Sequence, residues 1–193
     1  MTKSLCVFCG SQHGSDRRFR AAATRLGELA AGAGLQLIYG GGRVGLMGAV
    51  ADAAMAAGGE VVGLIPARLL EREVGHRAIT ELIVARDMFD RKDQMIARAD
   101  AFIVLPGGLG TLDEMLEVVT LRQLGYHAKP IVLVNLAGYW DPLIALVERV
   151  VEYDFAAADA RGLFQVVASV DEVLPALGID AAPRAPLQVA QAD

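Results

Sequence analysis

The strongest chemical signal in this sequence is a glycine-rich stretch that leads into acidic residues, PGGLGTLDE from Pro106 to Glu114. It follows the apolar run Phe102 to Leu105, so the order predicts a buried strand, a tight turn and the start of a helix. In an α/β sheet, such a junction presents backbone N–H groups and a helix N-terminus, which bind anions. Three glycines within four residues let a ligand approach the backbone, because they carry no Cβ. The stretch therefore predicts an anion site with a carboxylate, Glu114, one turn inside the helix.

The same residues also fit a purely structural role for Glu114. Thr111 and Glu114 have the spacing of a capping box, in which the two residues satisfy each other's backbone N–H groups at a helix start. A capping box requires neither Pro-Gly-Gly before it nor another glycine-rich turn elsewhere, and this sequence has both. The two roles of Glu114 stay open at this point.

The other glycine-rich turn is GGGRVGLMG, at residues 40–48, and it follows a second apolar run. We call residues 40–48 the first glycine turn and residues 106–110 the second. The first contains the G-x-G-x-x-G spacing of dinucleotide-binding proteins, but that role needs an acidic residue at the end of the next strand. Glu60 instead stands at the beginning of that strand. We therefore expect an anion site rather than an NAD site, with Gly41 and Gly42 among the ligand contacts.

Two basic residues, Arg91 and Lys92, fall in the first turns of a helix predicted from Asp87 to about residue 98. The helix macrodipole disfavours positive charge at that end, so their position suggests an anion outside the helix. The alternative is local pairing with Asp87 and Asp90, and the sequence does not decide between the two.

Apolar strand-like runs alternate with helical periodicity along the whole chain. The alternation predicts an α/β fold, a Rossmann-like, doubly wound parallel sheet of about seven strands with helices on both faces. Ligands of such sheets bind at the carboxyl ends of the strands. Both glycine turns, Arg91 with Lys92, and the helix start at Thr111 map to that edge. Ser11 follows the first strand there, either as a ligand contact or as a turn residue.

Length and charge are those of one domain. The 193 residues fit a single Rossmann-like domain over 1–180, and residues 181–193 predict a flexible tail. The formal net charge of −5 comes from interspersed charges, which argues against a nucleic-acid-binding surface. No uncharged apolar run reaches the ~18 residues of a spanning helix, and the first residues lack the layout of a signal peptide. We therefore expect a cytoplasmic protein that binds neither membranes nor nucleic acid.

Several kinds of chemistry are excluded by position or by missing motifs. Cys6 and Cys9 spell C-x-x-C inside a predicted strand, where residues three apart point to opposite faces, so we expect two core residues and neither a disulfide nor a zinc site. The sequence has neither a P-loop nor the G-x-S-x-G of α/β-hydrolases.

The glycine turns and the basic pair suit a phosphorylated small molecule. The carboxylates suit a glycosidic bond, whose cleavage passes through a cationic transition state.

Two motifs at this spacing resemble the signature of the LOG ("lonely guy") family: MFDRK from Met88 to Lys92, continued through Met95, and PGGLGTLDE. Members of the family are cytokinin riboside 5′-monophosphate phosphoribohydrolases, often mislabelled lysine decarboxylases. The resemblance runs from about residue 3 to residue 177 and includes the first glycine turn and Gly138-Tyr139-Trp140. It implies hydrolysis of the N-glycosidic bond of a cytokinin riboside 5′-monophosphate, or of AMP, with release of the free base and ribose 5-phosphate.

The resemblance also implies roles for individual residues. Arg91 and Glu114 would be catalytic. The implied substrate contacts are Glu73, Lys92, Gly108, Leu109, Gly110, Thr111, Leu112, Asp113 and Thr120. Phe89 departs from the family, because many relatives carry a histidine there, and this affects the expected substrate preference more than the reaction.

A homodimer that needs neither an organic cofactor nor a metal is a further implication of the resemblance. Pyridoxal phosphate, which a lysine decarboxylase would use, needs a Schiff-base lysine. None of the three lysines, Lys3, Lys92 and Lys129, stands isolated among apolar residues at the site. The alternative function is a non-catalytic nucleotide-binding carrier or sensor on the same fold.

Overall fold

A seven-stranded parallel sheet forms the centre of the computed structural model, which describes residues 2–70 and 75–179. Within these ranges the strands lie in the order β4-β3-β2-β1-β5-β6-β7, so the predicted doubly wound sheet is confirmed. The strands are β1 (Ser4–Phe8), β2 (Gln36–Tyr39), β3 (Val61–Pro66), β4 (Glu81–Ala85), β5 (Ala101–Val104), β6 (Ile131–Val134) and β7 (Gln165–Val167).

Helices cover both faces of the sheet. Helices α1, α2 and α7 pack into the apolar cluster on one face, and α4, α5 and α6 pack into the cluster on the other. The bounds are α1 (Arg17–Gly32), α2 (Gly45–Ala56), α3 (Ala67–Leu70), α4 (Met88–Arg98), α5 (Leu109–Gln123), α6 (Asp141–Glu152) and α7 (Val173–Ala176). Short 3-10 segments lie at Leu136–Gly138, Ala158–Gly162 and Val170–Glu172.

The strands form where the sequence is continuously apolar, because both faces of a parallel sheet are buried. Cys6 packs into the cluster on one face and Cys9 into the cluster on the other, as the period of two requires. Both thiols are free, and burial raises the pKa of each. The prediction of two core cysteines is confirmed.

Two helices begin where a side chain satisfies their first N–H groups. The Asp16 carboxylate accepts a hydrogen bond from the Arg18 N–H at 2.8 Å, and the Asp87 carboxylate accepts one from the Asp90 N–H at 2.9 Å. The start at Asp87 was predicted from the sequence. The segment after β3 contains the short helix α3. Glu73 and residues 181–193 lie outside the described residues.

The strand order reverses between β1 and β5. From β1 the chain builds the sheet outward to β4 and then returns to place β5 on the other side of β1. The carboxyl ends of such a pair form the crevice where ligands of open α/β sheets bind. The turns after the two strands meet there, because the Gly10 N–H donates to the Pro106 carbonyl at 3.1 Å. In the described ranges, no helix combines the length and the apolar character needed to cross a membrane.

Candidate active site

A cavity of about 150 Å³ opens at this crevice. We call it the Arg–Glu cavity, after Arg91 and Glu114 on its wall. The carboxyl end of β1, the first glycine turn and the N-terminus of α5 contribute the rest of the lining: Val7, Cys9, Ser11, Gly40, Met47, Gly108, Leu109, Gly110 and Thr111. The predicted convergence of the glycine turns, Arg91 and the α5 start at one edge of the sheet is confirmed.

Helix α5 starts before Thr111, the residue that would have to be the N-cap in a capping box. Its first helical residue is Leu109 and its N-cap is Gly108, without a side-chain hydrogen bond at the cap. Thr111 is thus the third residue of the helix, and the capping-box alternative for Glu114 is wrong. The first intrahelical bond runs from the Leu112 N–H to the Gly108 carbonyl at 3.1 Å. The earlier amides have no intrahelical acceptor, and the residues that carry them, Gly108 to Thr111, line the cavity at the positive end of the helix.

Arg91 and Glu114 form a buried ion pair across α4 and α5. Arg91 Nη2 donates to Glu114 Oε1 at 2.8 Å, and each side chain is 8% exposed. The local pairing with Asp87 and Asp90 is not formed, since the Asp90 carboxylate accepts from Arg86. Arg91 thus has a carboxylate of the protein itself as an anionic partner, and a ligand anion beside it stays a prediction. Arg91 Nε is buried without a hydrogen-bond partner among the described residues, so this N–H of the guanidinium can still donate to a ligand.

The first glycine turn makes room for this arginine. A Cβ on Gly40 would overlap Arg91 Nη2, so only glycine lets the guanidinium lie there. Sequence reasoning did not single out Gly40 as a site residue, although the turn that contains it was recognised. Gly41 has φ +75 and packs against the Leu64 backbone, while Gly42 pairs with Gly75. Both are absent from the cavity lining, and their role as ligand contacts stays a prediction.

Lys92 is held between two carboxylates of α5. Its Nζ lies 3.0 Å from Asp113 Oδ2 and 3.0 Å from Glu117 Oε2. Burial of the ammonium lowers the pKa of Lys92, but the hydrogen bonds to Glu117 and Asp113 outweigh that effect and raise it overall. Lys92 therefore joins α4 to α5 beside the Arg91–Glu114 pair.

The remaining predicted contacts lie off the cavity. Leu112 packs partly into the core, and Asp113 faces Lys92. Thr120 is exposed and lies nine residues beyond Thr111, which is ~13 Å along the helix axis. The single chain thus brings together Ser11, Arg91, Glu114 and the second glycine turn. It does not bring Lys92, Asp113 or Thr120 into the same lining.

The site does not fit pyridoxal phosphate. Lys3 is exposed and lies at the start of β1, at the opposite edge of the sheet. Lys129 Nζ donates to the Ile96 carbonyl at 2.7 Å, and Lys92 is paired as described. The cavity therefore contains no lysine that could form a Schiff base. Among residues 2–70 and 75–179, no group of three or more His, Cys, Asp or Glu side chains is arranged to hold a metal ion.

The fold and the site define a class, a Rossmann-like α/β protein with a helix N-terminus and a buried Arg–Glu pair at its switch point. A family model described as "possible lysine decarboxylase" matches residues 47–177. A cytokinin riboside 5′-monophosphate phosphoribohydrolase of Arabidopsis thaliana is 41% identical over 182 residues, which cover 94% of this chain and 85% of that protein. Another from Oryza sativa subsp. japonica is 41% identical over 180 residues, covering 90% and 74%.

This chain belongs to the LOG family of cytokinin riboside 5′-monophosphate phosphoribohydrolases, as the resemblance in its sequence indicated. The fold extends to more distant proteins. The Moco carrier protein of Chlamydomonas reinhardtii has a TM-score of 0.69 at 20% identity, over 92% of this chain and 96% of that chain. At this identity the likeness shows the fold alone.

Proposed function

We propose that this chain hydrolyses the N-glycosidic bond of a cytokinin riboside 5′-monophosphate, or of AMP, to the free base and ribose 5-phosphate. The observation that carries the proposal is the buried pair between Arg91 and Glu114, placed beside the α5 N-terminus in a chain of this family. An anion site next to a carboxylate is the arrangement that cleavage of a phosphorylated riboside needs.

The 5′-phosphate is proposed to bind at the N-terminus of α5. The backbone amides from Gly108 to Thr111 line the Arg–Glu cavity and lack intrahelical acceptors. Glycine at 108 and 110 leaves that surface open, since a Cβ at either position would meet nothing within 4 Å. Donors and helix dipole together favour a doubly charged phosphate over a neutral hydroxyl.

Glu114 is proposed to act on the glycosidic carbon. It lies five residues beyond Leu109, the first residue of α5, which is ~7.5 Å along the helix axis and suits a ribose that spans the distance from phosphate to C1′. When the bond from C1′ to the base nitrogen breaks, its electron pair leaves with the base and C1′ becomes cationic. The Glu114 carboxylate stabilises that cation and takes a proton from the water that adds to C1′. The proton then passes to the departing base.

Arg91 supports this step in two ways. Its 2.8 Å hydrogen bond fixes one Glu114 oxygen, and its positive charge lies where charge develops on the leaving base or resides on the phosphate. Arg91 Nε, buried and without a hydrogen-bond partner among the described residues, is a further donor of the guanidinium.

The test of the catalytic assignment is Glu114→Gln. The variant keeps the size of the side chain but lacks the negative charge, so we expect turnover per folded molecule to fall at least ~100-fold. The melting temperature should fall as well, because the buried Arg91 loses its counter-ion. Glu117→Gln is the matched control, because it makes the same change one turn later, outside the Arg–Glu cavity. Near-wild-type turnover of Glu114→Gln would contradict the assignment.

The substrate is tested by comparing a nucleoside 5′-monophosphate with the matching riboside. We expect the monophosphate to be cleaved with kcat/KM at least ~100-fold higher, which corresponds to ~2.7 kcal/mol of transition-state binding. A panel that includes AMP and isopentenyladenosine monophosphate measures ribose 5-phosphate release. Binding of these nucleotides without release would instead favour a carrier or sensor.

A homodimer is the proposed assembly. Large apolar side chains are exposed on α4, on α5 and just after α5, among them Phe89 at 77% and Leu109 at 85%. Large apolar side chains at the surface are typical of subunit interfaces. Light scattering at micromolar concentration should give about twice the 20.4 kDa chain mass, and a value near 20.4 kDa would contradict the dimer. The cytoplasmic location stays a prediction.

A further inference from the structure

Tyr139 connects the β6–α6 loop to the second glycine turn. Its hydroxyl donates a hydrogen bond to the Gly107 carbonyl at 2.6 Å. The two residues are 32 positions apart, so the bond joins separate parts of the chain. None of the steps derived above uses Tyr139, although Gly138-Tyr139-Trp140 stood out in the sequence.

The loop that carries Tyr139 is tightly determined. Asn135 Oδ1 accepts from the Trp140 N–H at 2.7 Å, and Asn135 Nδ2 donates to Asp141 Oδ1 at 2.7 Å. Ala137 adopts φ 53, a left-handed conformation that is unfavourable for a non-glycine residue. Such strain persists only where the surroundings hold the backbone in place. These contacts support a loop in which the Tyr139 hydroxyl reaches the second glycine turn.

The ring of Tyr139 is also held on two sides. It packs edge-on against Phe19, with centroids 5.4 Å apart, and against Trp140, with centroids 4.8 Å apart. These contacts involve only the aromatic ring, whereas the hydroxyl donates to the Gly107 carbonyl. Loss of the hydroxyl alone would keep the ring packing.

The hydrogen bond sets the orientation of one peptide group. The Gly107 carbonyl and the Gly108 N–H belong to the same planar trans peptide and point in opposite directions. An acceptor bond to Tyr139 on one side thus turns the Gly108 N–H to the other side. Gly108 lines a cavity of about 220 Å³ together with Tyr139, and it lines the Arg–Glu cavity as well. The 107–108 peptide therefore lies between the 220 Å³ cavity and the Arg–Glu cavity.

Without such a bond this peptide would be the least constrained part of the turn. The preceding Pro106 carbonyl is held by the Gly10 N–H at 3.1 Å, and Gly107 lies so close to Thr111 that a Cβ at 107 would overlap the Thr111 hydroxyl. The 107–108 peptide follows a glycine, whose dihedral angles are the least restricted. Tyr139 supplies the hydrogen bond that selects one orientation.

We propose that Tyr139 is a positioning residue for the anion site: its hydroxyl fixes the 107–108 peptide so that the Gly108 N–H faces the phosphate of the substrate. The inference rests on the proposed function for the identity of the anion. Tyr139 acts through Gly108 and does not itself touch the substrate.

The test uses Tyr139→Phe in the full chain, with ribose 5-phosphate as the probe in titration calorimetry. We expect binding of ribose 5-phosphate to weaken about tenfold, equivalent to ~1.4 kcal/mol. Cleavage of the unphosphorylated riboside should stay within about twofold of the wild type, because that reaction makes no use of the phosphate contacts. The melting temperature should stay unchanged. Tyr153→Phe, which removes a hydroxyl from an exposed tyrosine after α6, is the control.

The outcomes separate this inference from the proposed function. Wild-type affinity of Tyr139→Phe for ribose 5-phosphate would overturn the role of Tyr139, whatever the enzyme cleaves. Equal loss for riboside and monophosphate, or a lowered melting temperature, would make Tyr139 a structural residue and also overturn it. A wild-type chain that cleaves neither compound would refute the proposed reaction, while the calorimetric comparison would still decide the role of Tyr139. Absence of ribose 5-phosphate binding in the wild type would overturn both the anion site and the inference.

Discussion

The two glycine turns carry the same sequence signal but differ in what occupies the space beside them. In the first, the Leu46 N–H at the start of α2 donates to the Gly10 carbonyl at 2.9 Å, so a carbonyl of the protein already accepts a hydrogen bond from the N-terminus of that helix. In the second, the residues at the start of α5, Gly108 to Thr111, line the Arg–Glu cavity. A Cβ on Gly45 would overlap the Ser11 backbone, whereas one on Gly108 or Gly110 would meet nothing within 4 Å.

The difference shows that glycine has two uses at the edge of a parallel sheet. The first turn needs glycine so that backbone and side chains of the protein can approach, including the Arg91 guanidinium at Gly40. The second needs glycine at 108 and 110 so that space stays open for a ligand. A glycine-rich turn before a helix therefore indicates an anion site only where the first N–H groups of the helix do not donate to acceptors of the protein.

The largest expected effect comes from Gly45→Ala, which tests the packing role of the first turn. Gly45 has φ +63, and a methyl group there would overlap the Ser11 backbone. We expect the free energy of unfolding, measured by urea denaturation, to fall by about 3 kcal/mol or more.

Gly58→Ala separates backbone strain from overlap. Gly58 has φ +76, but a Cβ there meets nothing within 4 Å, so we expect a loss of only ~1–2 kcal/mol. Equal losses in the two variants would show that close packing of the first turn contributes nothing beyond its backbone conformation.

The next effect tests the open space of the second turn with Gly110→Ala. A methyl group at this cavity-lining position narrows the surface proposed for the phosphate. We expect kcat/KM for the monophosphate to fall about tenfold, ~1.4 kcal/mol, with no loss of thermal stability, because alanine is the better helix former.

Gly32→Ala is the matched control for this variant. Gly32 ends α1, and a Cβ there also meets nothing within 4 Å. Activity should be unchanged in the control. A Gly110→Ala enzyme with wild-type kcat/KM would remove the contrast between the two turns.

The smallest expected effect is on stability and comes from Lys92, whose ion pairs join α4 to α5 next to the second turn. Among the described residues, the first turn has no such ion pair. Lys92→Met should lower the free energy of unfolding by ~1 kcal/mol at neutral pH. The pKa of Lys92 is raised above its ordinary value of 10.5, so its contribution is fully present below about pH 10.5 and is lost as the pH rises through the folded-state pKa.

Urea denaturation at a series of pH values measures this. The difference in free energy between wild type and Lys92→Met should stay constant from about pH 7 to pH 9 and shrink above about pH 10.5. Lys3→Met, at an exposed lysine on the opposite edge, should show no such difference. A difference that grows with pH would contradict the assigned sign.

Much of the fold could be predicted because its signals are local. The apolar strands, the Asp16 and Asp87 caps and the opposite faces of Cys6 and Cys9 depend on residues close in sequence. The start of α5 was placed two residues too late, at Thr111, because Thr-x-x-Glu is also a capping signal. Leu109 begins the helix instead, with a glycine cap that leaves Glu114 to pair with Arg91.

The sequence by itself determined the alternation of elements, the edge of the sheet where the glycine turns gather and the family, since periodicity and motifs are written along the chain. Only the tertiary structure decided that Arg91 meets Glu114, 23 residues away, rather than Asp87 or Asp90. It also decided which glycine turn is packed and which is open. Both outcomes depend on how α4 and α5 lie against each other and how the β1 and β5 turns meet. Packing between distant segments sets these positions, and no local pattern encodes them.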